Sequence, residues 1–259
     1  MQWIDSGVVL GTRRHGETGV ILELMTARHG RHHGMVRGGR GKRHAAMLQP
    51  GNSVLATWTA RIEEQLGVYS LEAQTHRAAS LIDSAAALYG IGYLASLMRL
   101  LPEREPQEGL HEALSLILDH LDRPQVAAPL VVRFEVALLS ALGFGLDLSS
   151  CAATGTNENL VYVSPKSGRA ISREAGLPYH DRLLPLPAFI AGMAGDNMGP
   201  DALADGFRLT RFFLEHHLYE PRGLLLPDQR GSFIESVTRL AFEDETAKRS
   251  GPQARHRLV

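Results

Sequence analysis

Cysteine is nearly missing from this sequence: Cys151 stands alone among 259 residues. One thiol cannot close an internal disulfide, so nothing directs the chain to an oxidising compartment. Long apolar runs are missing too. No window approaches eighteen consecutive apolar residues, so no membrane span is expected. The first residues carry neither a basic n-region nor an apolar h-region, and Asp5, Arg13 and Arg14 come early. They are not expected to form a signal peptide, and the expected compartment is the cytoplasm. Aromatic residues make up only 6% of the chain. Trp3, Trp58 and Tyr69 are the stacking candidates in the first third, and barrel core uses the same residue types, so electrostatics rather than stacking is expected to carry any polyanion binding there.

Catalytic patterns are absent as well. There is no G-x-S-x-G, H-E-x-x-H or C-x-x-C. Glu63 and Glu64 are adjacent, and on a strand adjacent side chains point to opposite faces, so they do not form a carboxylate pair. His216 and His217 read as surface residues near a helix end.

What is present is cationic. From Arg28 to His44 the chain reads R-H-G-R-H-H-G-M-V-R-G-G-R-G-K-R-H, with Arg28, Arg31, Arg37, Arg40, Lys42 and Arg43, four histidines, five glycines and no acid. The net charge of −1 hides this, because Met1–Ala60 holds eight Lys+Arg against three acids and the remainder is net acidic. A nucleotide P-loop does not fit: with Gly41-Lys42 as its G-K pair, the first glycine falls on Val36 and the Ser/Thr on Arg43. A metal site built on His29, His32 and His33 has no carboxylate or thiolate nearby, and the flanking arginines repel a cation. Polyanion binding remains, because guanidinium forks and glycine-loop N–H groups suit phosphate oxygens and read no sequence.

Residues 3–76 read as strands. Ser6–Arg13 and Val20–Thr26 flank a Gly16–Gly19 turn, and Arg31–Arg37, Ser53–Ala60 and Gly67–Gln74 follow. In the fourth run Val54, Ala56 and Trp58 alternate with Ser53, Leu55, Thr57 and Thr59. Five short strands with a long loop after the third predict a small closed or partly closed barrel. Beyond Ala78 apolar spacing turns helical. The first stripe is Leu81, Ala85, Leu88, Gly92, Ala95, Met98 and Leu101, and the second is Leu110, Leu114, Ile117 and Leu121. Pro124 is read as a stop, with a third helix from Pro129 to Leu142. Strand-like and turn-like pieces alternate over 147–180. A last helix spans Asp201–Tyr219 with Leu203, Phe207, Leu214 and Leu218 inward. On it Arg208 and Arg211 share a face beside Phe212, a candidate grip for an acidic peptide with an apolar end. Residues 243–259 read as a polar, disordered tail.

The order of these parts resembles the bacterial RecO family of DNA repair and recombination mediators. The carrying stretches are Gly7–Thr18 (GVVLGTRRHGET), Leu100–Pro106 (LLPEREP), Phe134–Phe144 (FEVALLSALGF), Cys151–Ala175 and Thr210–Leu218 (TRFFLEHHL). The resemblance implies an α+β, multidomain chain: an N-terminal OB-fold β-barrel over 1–77, then a mainly α-helical domain over 78–242 with a small zinc-ribbon-like insert at about 147–180. It implies binding to single- and double-stranded DNA, annealing, partnership with RecR, contact with the C-terminal tail of single-strand-binding protein and, indirectly, RecA loading, in the cytoplasm at the nucleoid. Zinc-bearing relatives look like C-x-x-C…C-x-x-C in the insert. The matching positions here are Cys151, Thr154, Ser172 and Ala175, a degenerate set with one thiolate where a structural zinc needs about four ligands. No zinc and no other cofactor is expected. The working expectation is a non-enzymatic DNA-binding mediator, with an RNA-binding OB-fold protein and a protein-binding scaffold as alternatives.

Overall fold

Alternating side chains build the first part of the chain. In the computed structural model, which describes residues 1–192 and 200–250 and the side chains of all of these but 43, 200 and 241–250, five strands are formed: β1 (Gln2–His15), β2 (Gly19–Thr26), β3 (Gly30–Val36), β4 (Ser53–Thr59) and β5 (Val68–Thr75). In β4, Val54, Ala56 and Trp58 are buried while their neighbours are not, as the alternation predicts. The strands close in the order β1-β2-β3-β5-β4, β1 being antiparallel to both β2 and β4. Met35 and Val68 make the parallel contact between β3 and β5. The arrangement is OB-like. A register shift between Val9 and Gly11 bends the long β1 so that it serves both neighbours. Val9, Leu22, Leu24, Val54, Ala56 and Trp58 fill the interior.

The single turn α1 (Lys42–Ala45) follows the loop after β3. Beyond the barrel come α2 (Ala78–Leu81), α3 (Ala85–Met98), α4 (Glu108–Leu118) and α5 (Pro124–Ala141), then the strands β6 (Leu160–Val163) and β7 (Ala170–Ser172), the turn α6 (Arg173–Gly176), β8 (Leu184–Pro185), α7 (Pro200–Leu214) and α8 (Asp228–Ser250). The structure differs from the sequence reading at three helix boundaries. The Ser84 hydroxyl accepts the Ala87 N–H and caps α3, which is thereby separated from α2 and turned so that Ala85 and Leu88 face outward while Ile91, Leu94, Leu97 and Met98 are buried. Pro124 starts a helix at its first turn, where its missing N–H costs nothing, and Pro129 lies inside α5. The chain also remains helical from Asp228 through 243–250, a stretch read as tail; residues 251–259 lie outside the described residues.

Among the described residues α5 is the one helix long and apolar enough to cross a membrane by composition. It is instead the centre of the helical core, with Ala127, Ala128, Val131, Phe134 and Leu138 buried. It also carries a buried acid. Glu135 accepts from Tyr93 of α3 and Thr210 of α7 and forms a 2.8 Å ion pair with Arg230 of α8, so one carboxylate joins four helices. Burial pushes the Arg230 guanidinium down, but the Glu135 carboxylate outweighs it and the net direction is up.

The barrel docks on the helical part through ions. Glu23 of the barrel meets Arg99 at 2.8 Å, and Glu103 meets Arg31 at 3.4 Å and His33 at 3.2 Å. The segment after α3 lies along the start of β3, where Arg104 N–H donates to the Arg31 carbonyl at 2.8 Å. Gly30 allows this approach: a Cβ there would stand 2.0 Å from the Glu105 carbonyl oxygen, and its φ of 64° suits glycine.

Candidate nucleic-acid interface

Strand β3 divides the Arg28–His44 stretch. It crosses the barrel in seven residues, about 20 Å at the usual rise. The residues before and after it therefore lie at opposite barrel ends and do not form one patch.

At the far end of β3 the chain turns through Arg37–Gly41, with Gly38 in the left-handed region at φ 62°. This loop is tied to the β1–β2 turn. Arg40 N–H donates to the Thr18 carbonyl at 3.1 Å, and the Arg40 guanidinium donates to the Glu17 carbonyl at 2.5 Å. The tie brings in two arginines that the sequence reading passed over. Arg14 pairs with Val20 and Val20 with Val36, so the end of β1 stands two strands from Arg37. Arg13, Arg14, His15, Arg37, Arg40 and Lys42 are all exposed, and Glu17 is the acid in the intervening turn. Arg43 follows Lys42 on α1, but its side chain lies outside the described residues. Such an edge can neutralise several phosphates at once, with no base contact implied.

Arg31 does not belong to that surface. Its side chain is 13% exposed, held by Glu23 and Glu103 and donating to the Leu101 carbonyl at 3.2 Å. Its work is to dock the helical part on the barrel. Arg28 is exposed but lies at the other barrel end, where its backbone N–H and guanidinium donate to Asp5. Burial pushes the Asp5 carboxyl up, but the Arg28 N–H and the His29 ring outweigh it, and the carboxyl stays below its ordinary value.

Arg208 and Arg211 are exposed, and each is paired on its own helix, with Asp205 at 3.0 Å and Glu215 at 2.9 Å. Phe212 stacks on His216. A cavity of about 640 Å³ lies elsewhere, between the barrel and α3, lined by Leu10, Pro50, Ile82, Leu88, Ile91 and Arg99. Leu88, outward on α3, forms part of its wall. No stripe in the sequence marks it, because its walls come from both halves of the chain.

In the second half, β7-β6-β8 form a three-stranded sheet. Cys151 is buried against it, its sulfur accepting the Ser172 N–H at 3.2 Å. Burial pushes the thiol up, but hydrogen bonds from the Ser172 and Thr154 hydroxyls and from the backbone of Ser172 and Ala153 bring it down to about 6. Ala175 packs into the same cluster. Among the described residues no group of three or more His, Cys, Asp or Glu stands close enough to hold a metal. Of the matching positions, Thr154 and Ser172 thus serve as donors to the Cys151 sulfur.

Comparison with known proteins follows this division of the chain. Residues 1–75 match the family model for the Recombination protein O N terminal region, and residues 83–225 match that for its C terminal region. A DNA repair protein RecO from Methylorubrum populi is 56% identical over 239 residues, covering 90% of this chain and 97% of the relative. One from a Chelativorans species is 56% identical over 249 residues, covering 95% of this chain and 100% of the relative. One from Mesorhizobium japonicum is 54% identical over 237 residues, covering 92% and 94%.

Proposed function

The chain belongs to the RecO family of DNA repair proteins, and from that premise we propose that it acts without catalysis, as a recombination mediator that holds DNA by its backbone. The observation that carries this reading is the cationic barrel end, where Arg13 and Arg14 at the end of β1 and Arg37, Arg40 and Lys42 after β3 are all exposed. Annealing two strands requires that their mutual phosphate repulsion be neutralised, and it needs no acid, base or metal. Both single- and double-stranded DNA present the same phosphates to such a surface, so both are substrates in this reading.

RecR and the tail of single-strand-binding protein are the proposed protein partners, with RecA loading as the outcome and the cytoplasmic nucleoid as the place. The cavity beside Leu88 and Ile91 has a mostly apolar lining with Arg99 on its wall, which suits an acidic peptide with an apolar end, and the Arg208–Phe212 face is the second candidate for it. We read the three-stranded insert as a zinc ribbon that has lost its metal, with the hydrogen bonds onto Cys151 in place of coordination.

The test is the affinity of the whole protein for a labelled DNA oligonucleotide over a salt series, repeated in competition with RNA of matched sequence. Backbone binding predicts that log K falls linearly with log salt, by about 0.7 per phosphate neutralised on single strands. A flat salt dependence would remove the cationic end as the DNA site. A strong preference for the 2′-hydroxyl strand would favour the RNA-binding alternative.

A further inference from the structure

The opposite barrel end holds an aromatic stack that composition does not announce. The Trp3 and His29 rings lie parallel, 4.1 Å apart at 9°. Trp58 continues the stack behind Trp3 at 5.6 Å and 18°. His32 stands edge-on to both indoles at 5.1 Å. These rings border a cavity of about 430 Å³ that Arg28 and Arg104 also line, a volume in the range of small-ligand sites. Glu63 is the acid on its wall.

The charges of this cavity are arranged, with a neutral floor and cations at the lip. Burial and the Arg104 guanidinium bring His32 down to about 4, so its ring is uncharged at neutral pH and shares a 2.9 Å hydrogen bond with the Tyr69 hydroxyl. The Arg28 side chain is 69% exposed. Arg104 has a left-handed backbone, φ 65°, unusual for a residue with a Cβ. That conformation is fixed by its N–H bond to the Arg31 carbonyl, while its guanidinium reaches the carbonyls of Glu63 and Gln65 in the β4–β5 loop. Strain of this kind persists where the surroundings over-determine it, and it gathers at binding sites.

We propose that this end takes one base of a DNA single strand, stacked against the His29–Trp3–Trp58 column, with Arg28 and Arg104 on the adjoining phosphates. The inference rests on the nucleic-acid reading of the barrel and adds a second contact to it. Flat parallel rings with cations at the lip suit a base and its phosphates, because every base has a π-face. A strand gripped at the cationic end reaches this cavity within the span of an OB barrel, about 4–16 nucleotides.

Trp3 and Trp58 are the two tryptophans of the chain, so intrinsic emission of the full-length protein reports on this end alone. The experiment titrates the protein with a dye-ended thymidine oligonucleotide and with an abasic strand of equal length, reading dye anisotropy for binding and tryptophan emission for stacking. Both strands are expected to bind, and only the base-bearing one is expected to quench the tryptophans. The Arg28→Ala/His29→Ala variant, altered at the exposed Arg28 and the half-buried His29, is expected to lose at least about fivefold in affinity for the base-bearing strand and less for the abasic one. Anisotropy that rises while emission stays unchanged would overturn the stacking site and leave the cationic end standing. Equal quenching by the abasic strand would also overturn it. No rise in anisotropy with either strand would overturn both readings together.

Discussion

Replacing Glu135 by alanine is expected to destabilise the folded protein by about 3–5 kcal/mol, the usual cost of breaking a buried ion pair by removing one partner. The carboxylate is fully buried and Arg230 is 4% exposed, so the guanidinium left behind has little water to turn to. The Tyr93 and Thr210 hydroxyls lose their acceptor in the same step. Four helices meet at this carboxylate, which is why the loss is expected to reach the whole helical part and not one contact. Urea unfolding followed by circular dichroism measures it. Removing both charges with apolar residues of similar volume, Glu135→Leu with Arg230→Met, is expected to recover much of the loss, because the unpaired charge causes most of it. A change below about 1 kcal/mol in Glu135→Ala would fall within the ordinary run of substitutions and contradict the account of the hub.

Arg31→Ala separates docking from DNA binding. Its guanidinium joins Glu23 on β2, Glu103 and the Leu101 carbonyl, with 13% of the side chain exposed. Hydrogen bonds to charged groups contribute about 1.5–3 kcal/mol. A loss of roughly that size is expected in unfolding, partly limited because Arg99 still faces Glu23. The salt dependence of DNA binding is expected to stay as in the wild type, since no phosphate contact is removed. A shallower slope would return Arg31 to the DNA surface.

Much of the barrel was legible because β4 writes its faces out in period two, and because the Gly16–Gly19 turn marks a hairpin. The loop after β3 was legible for the same kind of reason, glycine and like charge being poor strand formers. What the sequence concealed is where a strand ends up. Arg28 and Arg37 are near neighbours in the text and stand at opposite ends of the barrel, whereas Arg14 and Arg37 are distant in the text and close across two ladders. The aromatic stack was hidden by the same rule: Trp3 meets Trp58 only through the closing β1–β4 pairing. α8 escaped notice because few of its side chains are apolar. Among its described side chains Phe233 and Val237 make a buried apolar pair one turn apart, beside an inward arginine, Arg230. The outward turn of Leu88 has a local cause, the Ser84 cap, and a non-local one, the cavity wall it helps to form.

The most direct test of the central claim is equilibrium binding of a labelled single-stranded oligonucleotide to the wild type and to the Arg37→Ala/Arg40→Ala/Lys42→Ala variant across a salt series. All three side chains are exposed, so the variant is expected to fold. If each holds one phosphate, affinity at low salt falls at least about tenfold and the slope of log K against log salt becomes shallower by about 2, at roughly 0.7 per contact. An unchanged affinity and slope would mean that the cationic barrel end is not where this protein holds DNA.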